Sequence, residues 1–130
     1  MIYSNRTNAA RTLATVYRAI KSITEMWKVC AIVVAGQRCR FVSKKSLAAA
    51  FVAFRKESAR QVVITRTSTD TFRAVGRDTV YTVTATDTAI TCDCQDYKNQ
   101  IDSLKRGVCK HGYAALNILG FDSLAAYLAR

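Results

Sequence analysis

Four residues constrain this chain more than any others: Cys92 and Cys94 with Asp93 between them, then, after fourteen intervening positions, Cys109 and His111 with Lys110 between them. Two tight pairs of soft and borderline donors are what a tetrahedral metal site needs, and the donor set suits zinc. On an extended strand, side chains two apart point the same way, so Cys92 and Cys94 can face one ion. Cys109 and His111 fall where a loop enters an expected helix, and a turn there can aim both at the same point. The helix dipole and Lys110 favour thiolate over thiol at that place. His111 is the only histidine in the sequence. A lone histidine is more often a core or surface residue, but its position two after a cysteine, downstream of a Cys-x-Cys pair, makes it a ligand. Four protein donors close the coordination shell, whereas a catalytic zinc keeps a position open for water. One structural Zn2+ is therefore expected.

Composition narrows the rest. Five cysteines are an odd number, and the N-terminus lacks a basic segment followed by an apolar core and cleavage site. The expectation is an intracellular protein (cytoplasm, nucleoid or nucleus) without disulfides. Cys30 and Cys39 lie outside the cluster and read as small buried hydrophobes. The apolar run Val29 to Ala35 is seven residues, where a membrane span needs about 20, so no membrane partner is expected. There are 20 Lys and Arg against nine Asp and Glu, a net charge of +11. Residues 1–60 carry twelve of these cations and two acids, while residues 61–130 carry eight and seven. That asymmetry points to a polyanionic partner for the N-terminal half.

Periodicity gives an α+β chain in two parts, which can equally be one continuous domain. Residues 1–60 read as basic and helical, and residues 61–130 as an antiparallel meander with helices around the four donors. Leu13, Val16, Tyr17, Ile20, Ile23 and Trp27 recur at three and four residues and predict a helix over residues 7–28, capped by Thr7 or Asn8, with Arg11, Arg18, Lys21 and Lys28 opposite. Residues 30–35 fit either a continuation of that helix or a short buried strand. Ser43 caps a second helix to about Ala59, apolar all round from Leu47 to Phe54 and hence expected to be buried. Strands follow over residues 61–66, 71–75, 79–85 and 89–91, with turns near residues 68–70, 76–78 and 87. Tyr97, Ile101 and Leu104 mark a helix between the ligand pairs. A further helix after His111 ends at Gly120, and a last one is capped by Asp122 or Ser123.

The spacing Cys-x-Cys, variable loop, Cys-x-His resembles the SWIM zinc finger. Tyr81-Thr82-Val83, Cys94-Gln95-Asp96-Tyr97 and Cys109-Lys110-His111-Gly112-Tyr113-Ala114-Ala115-Leu116 are similar to that family's strand, knuckle and helix, over residues 72–120. The resemblance implies a β-β-α zinc fold with a role in binding DNA or proteins. Family members mostly sit inside larger chromatin-associated ATPases, transposases and ubiquitin ligases, whose catalytic domains these 130 residues do not contain.

The function expected is nucleic-acid binding, DNA above all, through phosphates more than base edges. Candidate contacts are Arg38, Arg40, Lys44 and Lys45 in the first half and Lys98, Lys105, Arg106 and Lys110 around the zinc module. Lys44 and Lys45 occupy the first turn of a helix, where the dipole disfavours cations, so a bound anion would explain them better than stability does. Phe41 and Trp27 read as core. The alternative is an adaptor that meets an acidic protein through the same surface. Paired carboxylates, a second histidine and a Gly-rich phosphate loop are missing, so no enzyme is expected.

Overall fold

The computed structural model describes residues 2–130 and is α+β, with five helices and two antiparallel sheets. It divides into two compact units at Phe54 and Arg55.

The first unit opens with α1 (Arg6–Thr12) and a 3-10 turn (Tyr17–Ala19), followed by β1 (Ile20–Glu25), β2 (Val29–Val34), β3 (Arg40–Ser43) and the start of α2 (Lys44–Ala59). The strands form a sheet in the order β1-β2-β3. Ile20, Cys30, Ile32, Val34 and Val42 face inward and pack with Ala9 and Ala10 of α1 and Leu47 of α2. Asn8, buried among them, donates to the carbonyls of Tyr3 and Leu47 at 2.9 and 2.8 Å.

The helix expected over residues 7–28 is not there. Asn5, not Thr7 or Asn8, caps α1, accepting from the Asn8 N–H at 2.9 Å, and Ala14 in the left-handed region (φ 53°) leads the chain away from helix. Residues 20–25 are a strand instead, because the β-branched stretch Val29–Val34 needs a ladder partner and β1 supplies it. An irregularity at Lys21 explains the misleading period: Ile20 opposes Val34, Ser22 opposes Val33 and Ile23 opposes Ile32. A bulge thus puts two inward side chains three residues apart, the spacing a helix would show. Val16, Tyr17 and Trp27 are exposed, Trp27 by 87% at the tip of the β1–β2 hairpin, and Phe41 is 66% exposed, so neither Trp27 nor Phe41 is core. The N-terminal part thus keeps two helices, the short α1 and the expected α2, but a three-stranded sheet stands in place of most of the first expected helix.

Ser43 does begin α2, its Oγ accepting from the Ser46 N–H at 3.0 Å. Leu47 and Phe51 are buried but Ala49, Ala53 and Phe54 are exposed, so the apolar middle of α2 is covered on one side only. The Arg11 guanidinium lies 3.3 Å from the centre of the Phe54 ring.

The second unit holds β4 (Val63–Arg66), β5 (Thr71–Val75), β6 (Val80–Ala85) and β7 (Ile90–Cys92), then α3 (Gln95–Leu104), α4 (Lys110–Leu119) and α5 (Leu124–Leu128). The four strands are a meander in chain order, close to the expected boundaries. Phe72, Ala74, Val83 and Ile90 turn inward and are buried together with Ala115 and Leu116 of α4. Gly120, at φ 89°, ends α4 in the conformation that glycine adopts without penalty. Ser123, not Asp122, caps α5, and Tyr127 anchors that helix by donating to the Thr86 carbonyl at 2.6 Å. Among the described residues no helix is long and apolar enough to cross a membrane.

Candidate metal centre

Each of the four donors sits where an element ends or begins. Cys92 is the last residue of β7, paired with Val83 and turned to the buried face of the sheet. Cys94 and Cys109 are the N-caps of α3 and α4, and His111 lies in the first turn of α4. Capping by a thiol is uncommon, and here it is explicit: Cys94 Sγ accepts from the Tyr97 N–H and Cys109 Sγ from the Gly112 N–H, both at 3.4 Å. Two helix N-termini therefore direct their partial positive charge at two sulfurs, which stabilises thiolate.

The ligand atoms of all four residues lie within 4.8 Å of one another, and all four side chains are buried. His111 Nδ1 stands 3.8 Å from Cys92 Sγ and 3.7 Å from Cys109 Sγ. The Tyr81 ring, 4.8 Å away between centroids, covers one side of the imidazole. This is a set of donors able to hold one metal ion.

The thiols alone are a poor cluster. Hydrogen bonds from Cys109 and Cys92 pull Cys94 well below the ordinary thiol value. The same bonds to Cys92 and Cys94, with burial, push Cys109 far above it. For Cys92 a lowering hydrogen bond with Cys109 is outweighed by that with Cys94 and by burial, and the thiol is pushed up to about 11. Like charges in one buried place cannot all ionise. A divalent cation at the centre removes that conflict, since metal-bound thiols are thiolates.

The surrounding polar contacts hold the ligand-bearing segments. Asp93 Oδ1 accepts from the Thr82 N–H at 2.9 Å, which ties the turn between the first two cysteines to β6. Arg55 grips Asp96 in the first turn of α3 with two hydrogen bonds, at 2.9 and 2.7 Å. Gln100, buried, donates to Asp96 Oδ2 and to the Val108 carbonyl, both at 3.1 Å, and so joins α3 to the residue before Cys109. Gly107 passes against it so closely that a Cβ there would lie 2.4 Å from Gln100 Oε1. Gln100→Ala removes both bonds and leaves the Val108 carbonyl short of a donor, at a cost of about 1–3 kcal/mol, to be read as a lower urea midpoint of the metal-loaded protein.

The sequence contained a signal for Gln100. Position 100 completes the stripe of Tyr97, Ile101 and Leu104, so a polar residue there had to be buried and bonded. The Arg55–Asp96 pair is 41 residues apart and carries no local signal.

Of the candidate nucleic-acid contacts, Arg38 lies in the loop between β2 and β3, Arg40 begins β3, and Lys44 and Lys45 form the first turn of α2. In the second unit Lys98 is on α3, and Lys105 and Arg106 follow it. Lys105 is held in the left-handed region (φ 61°), its Nζ donating to the Asp102 carbonyl at 3.1 Å. Lys110 is exposed between the buried Cys109 and His111. Cys30 is buried and Cys39, expected to be buried, is exposed.

No family model, no curated protein and no solved structure matches this chain.

Proposed function

We propose that the chain is a small nucleic-acid-binding protein, acting on DNA, whose second unit is built around one structural zinc ion in a SWIM-like finger. The observation that carries the zinc reading is the convergence of Cys92, Cys94, Cys109 and His111 on one buried point. At a tetrahedral zinc with bonds of about 2.3 Å to sulfur and about 2.1 Å to nitrogen, sulfur and nitrogen lie about 3.6 Å apart. The two Sγ–Nδ1 distances, 3.7 and 3.8 Å, are close to that value. Nδ1 as ligand leaves the imidazole proton on Nε2. The strands β6 and β7 before the first donor pair and α4 at the second support the SWIM likeness, with α3 in the variable loop between them and Tyr81 of β6 against the histidine. Four protein donors leave no position for a water, which fits a structural ion and not a catalytic one.

The net charge of +11 supports the polyanion. Lys110 is carried outward by the very geometry that turns its neighbours in. The test is fluorescence anisotropy of the zinc-loaded protein with labelled duplex DNA, single-stranded DNA and RNA over about 50–300 mM salt. For duplex DNA, log K is expected to fall by about 0.9 per phosphate neutralised against log salt. The triple variant Lys44→Glu, Lys45→Glu, Lys110→Glu is expected to bind more weakly and with a flatter slope, by about one per lysine that meets a phosphate. Absence of binding at the lowest salt would exclude nucleic acid and leave the acidic-protein adaptor.

A further inference from the structure

We propose that the outward face of the β1-β2-β3 sheet is a platform for single-stranded nucleic acid, with bases stacked on Phe41 and Trp27. The inference rests on the nucleic-acid reading above and gives it a surface and a polymer.

The face is defined by register. Residues opposite one another in an antiparallel pair share a face, and Thr24, Ala31 and Phe41 form one outward row across the sheet. The neighbours of Phe41 in that row are small, so its ring is left uncovered, 66% exposed. Val33 lies two residues along β2 from Ala31, also exposed. Trp27 stands at the hairpin end of the sheet, 87% exposed, and Tyr17, 54% exposed, precedes β1 at the other end. Stability gives no reason to keep three rings in water, and separated rings do not make the contiguous apolar patch of a protein interface.

Cations flank the sheet. Arg18 in the 3-10 turn before β1, Lys21 at the bulge, Lys28 in the β1–β2 turn and Arg38 before β3 are exposed and in no ion pair among the described residues, whereas Arg40, opposite Ile32, lies on the core side of the sheet. Through Phe54 the sequence holds nine Lys and Arg and a single acid, Glu25. Glu25 opposes Cys30, which puts it on the core side of the sheet, and Ser4 donates to its carboxylate. The outward face therefore offers an exposed ring and hydroxyls with no carboxylate, and cations flank it at the turns, the bulge and the loop before β3.

That combination selects the polymer. Bases in a duplex are stacked on each other and present no free face to a side chain, whereas a single strand offers every base to a ring and every phosphate to a cation. Hydroxyls of Ser22 and Thr24 on the same face can hydrogen-bond to base edges without imposing a sequence. DNA and RNA share this chemistry, and the 2′-hydroxyl is the only difference the face has to meet.

Trp27 is the single tryptophan, so the protein carries its own reporter. The zinc-loaded full chain is titrated with an oligothymidylate of about 15 nucleotides and with a duplex of equal phosphate content. Trp27 fluorescence is expected to be quenched by the single strand and not by the duplex. Phe41→Thr, which keeps a strand-forming residue, is expected to weaken single-strand affinity about 5- to 150-fold, with duplex affinity and thermal melt unchanged. A single strand that binds without quenching, with Phe41→Thr neutral, would overturn the platform while the nucleic-acid reading stands. No binding of either polymer at low salt would overturn both. Oligouridylate in place of oligothymidylate then ranks RNA against DNA on the same face.

Discussion

Cys109→Ser is expected to leave residues 55–130 without stable tertiary structure, and a chelator is expected to do the same to the unaltered protein. Structural zinc in small modules supplies on the order of 10–16 kcal/mol of apparent binding energy, comparable to or larger than the whole stability of most domains. Under the zinc proposal Cys109 is central to that energy. It is buried, it caps α4 through the Gly112 N–H, and its sulfur lies 3.7 Å from His111 Nδ1. Serine would keep an acceptor at the cap but offer a hard, protonated oxygen to the ion. Cys39→Ser is the control: that thiol is exposed and outside the cluster, and its loss is expected to cost less than about 0.5 kcal/mol. Circular dichroism with hydrogen exchange before and after chelation checks both. Protected amides in β5 and α4 after complete metal removal would refute the dependence. Retention of the ion should also weaken as pH falls, because each thiol must give up a proton to bind.

Phe72→Ala is expected to weaken zinc binding although Phe72 is none of the four donors. It is the largest fully buried side chain, at the middle of the sheet on β5. In the ladder it pairs with Val83 of β6 on one side and with Arg66 of β4 on the other, whose guanidinium lies 5.6 Å from the ring centre. Val83 in turn pairs with Cys92, so the ring supports the strand that carries a candidate donor. Truncating a buried Phe to Ala costs about 3–5 kcal/mol through lost burial and the cavity left behind. If the metal-free unit is unfolded, binding and folding are one event, and that cost appears in full as weaker metal affinity, about 150- to 5000-fold. A competition titration against a chelator of known affinity measures it. Unchanged zinc affinity, with a lowered melting temperature, would mean that the unit folds before it binds.

The two halves differed in how much of them could be read from sequence, and the reason is local. In residues 61–130 each strand is β-branched, each turn has its Gly, Asp or Ser, and the ligand pairs lie at element ends, so period, turn chemistry and donor spacing agree. In residues 1–28 they disagree. Ile20, Ile23 and Trp27 have helical spacing only because the bulge at Lys21 shifts the strand by one residue and because Trp27 is a turn residue that faces water. A bulge has no reliable sequence mark, and an exposed ring looks like a core ring until its neighbours are placed. The donors of the metal centre were legible because they come in pairs two residues apart. Arg55, 41 residues from Asp96, was not, since only the fold brings them together.

Zinc K-edge X-ray absorption on the purified full chain tests the central claim most directly. The expected result is one zinc per chain with three sulfurs at about 2.3 Å and one nitrogen at about 2.0–2.1 Å. A first shell of oxygen and nitrogen alone, or a shell that keeps three sulfurs in Cys109→Ser, would contradict it.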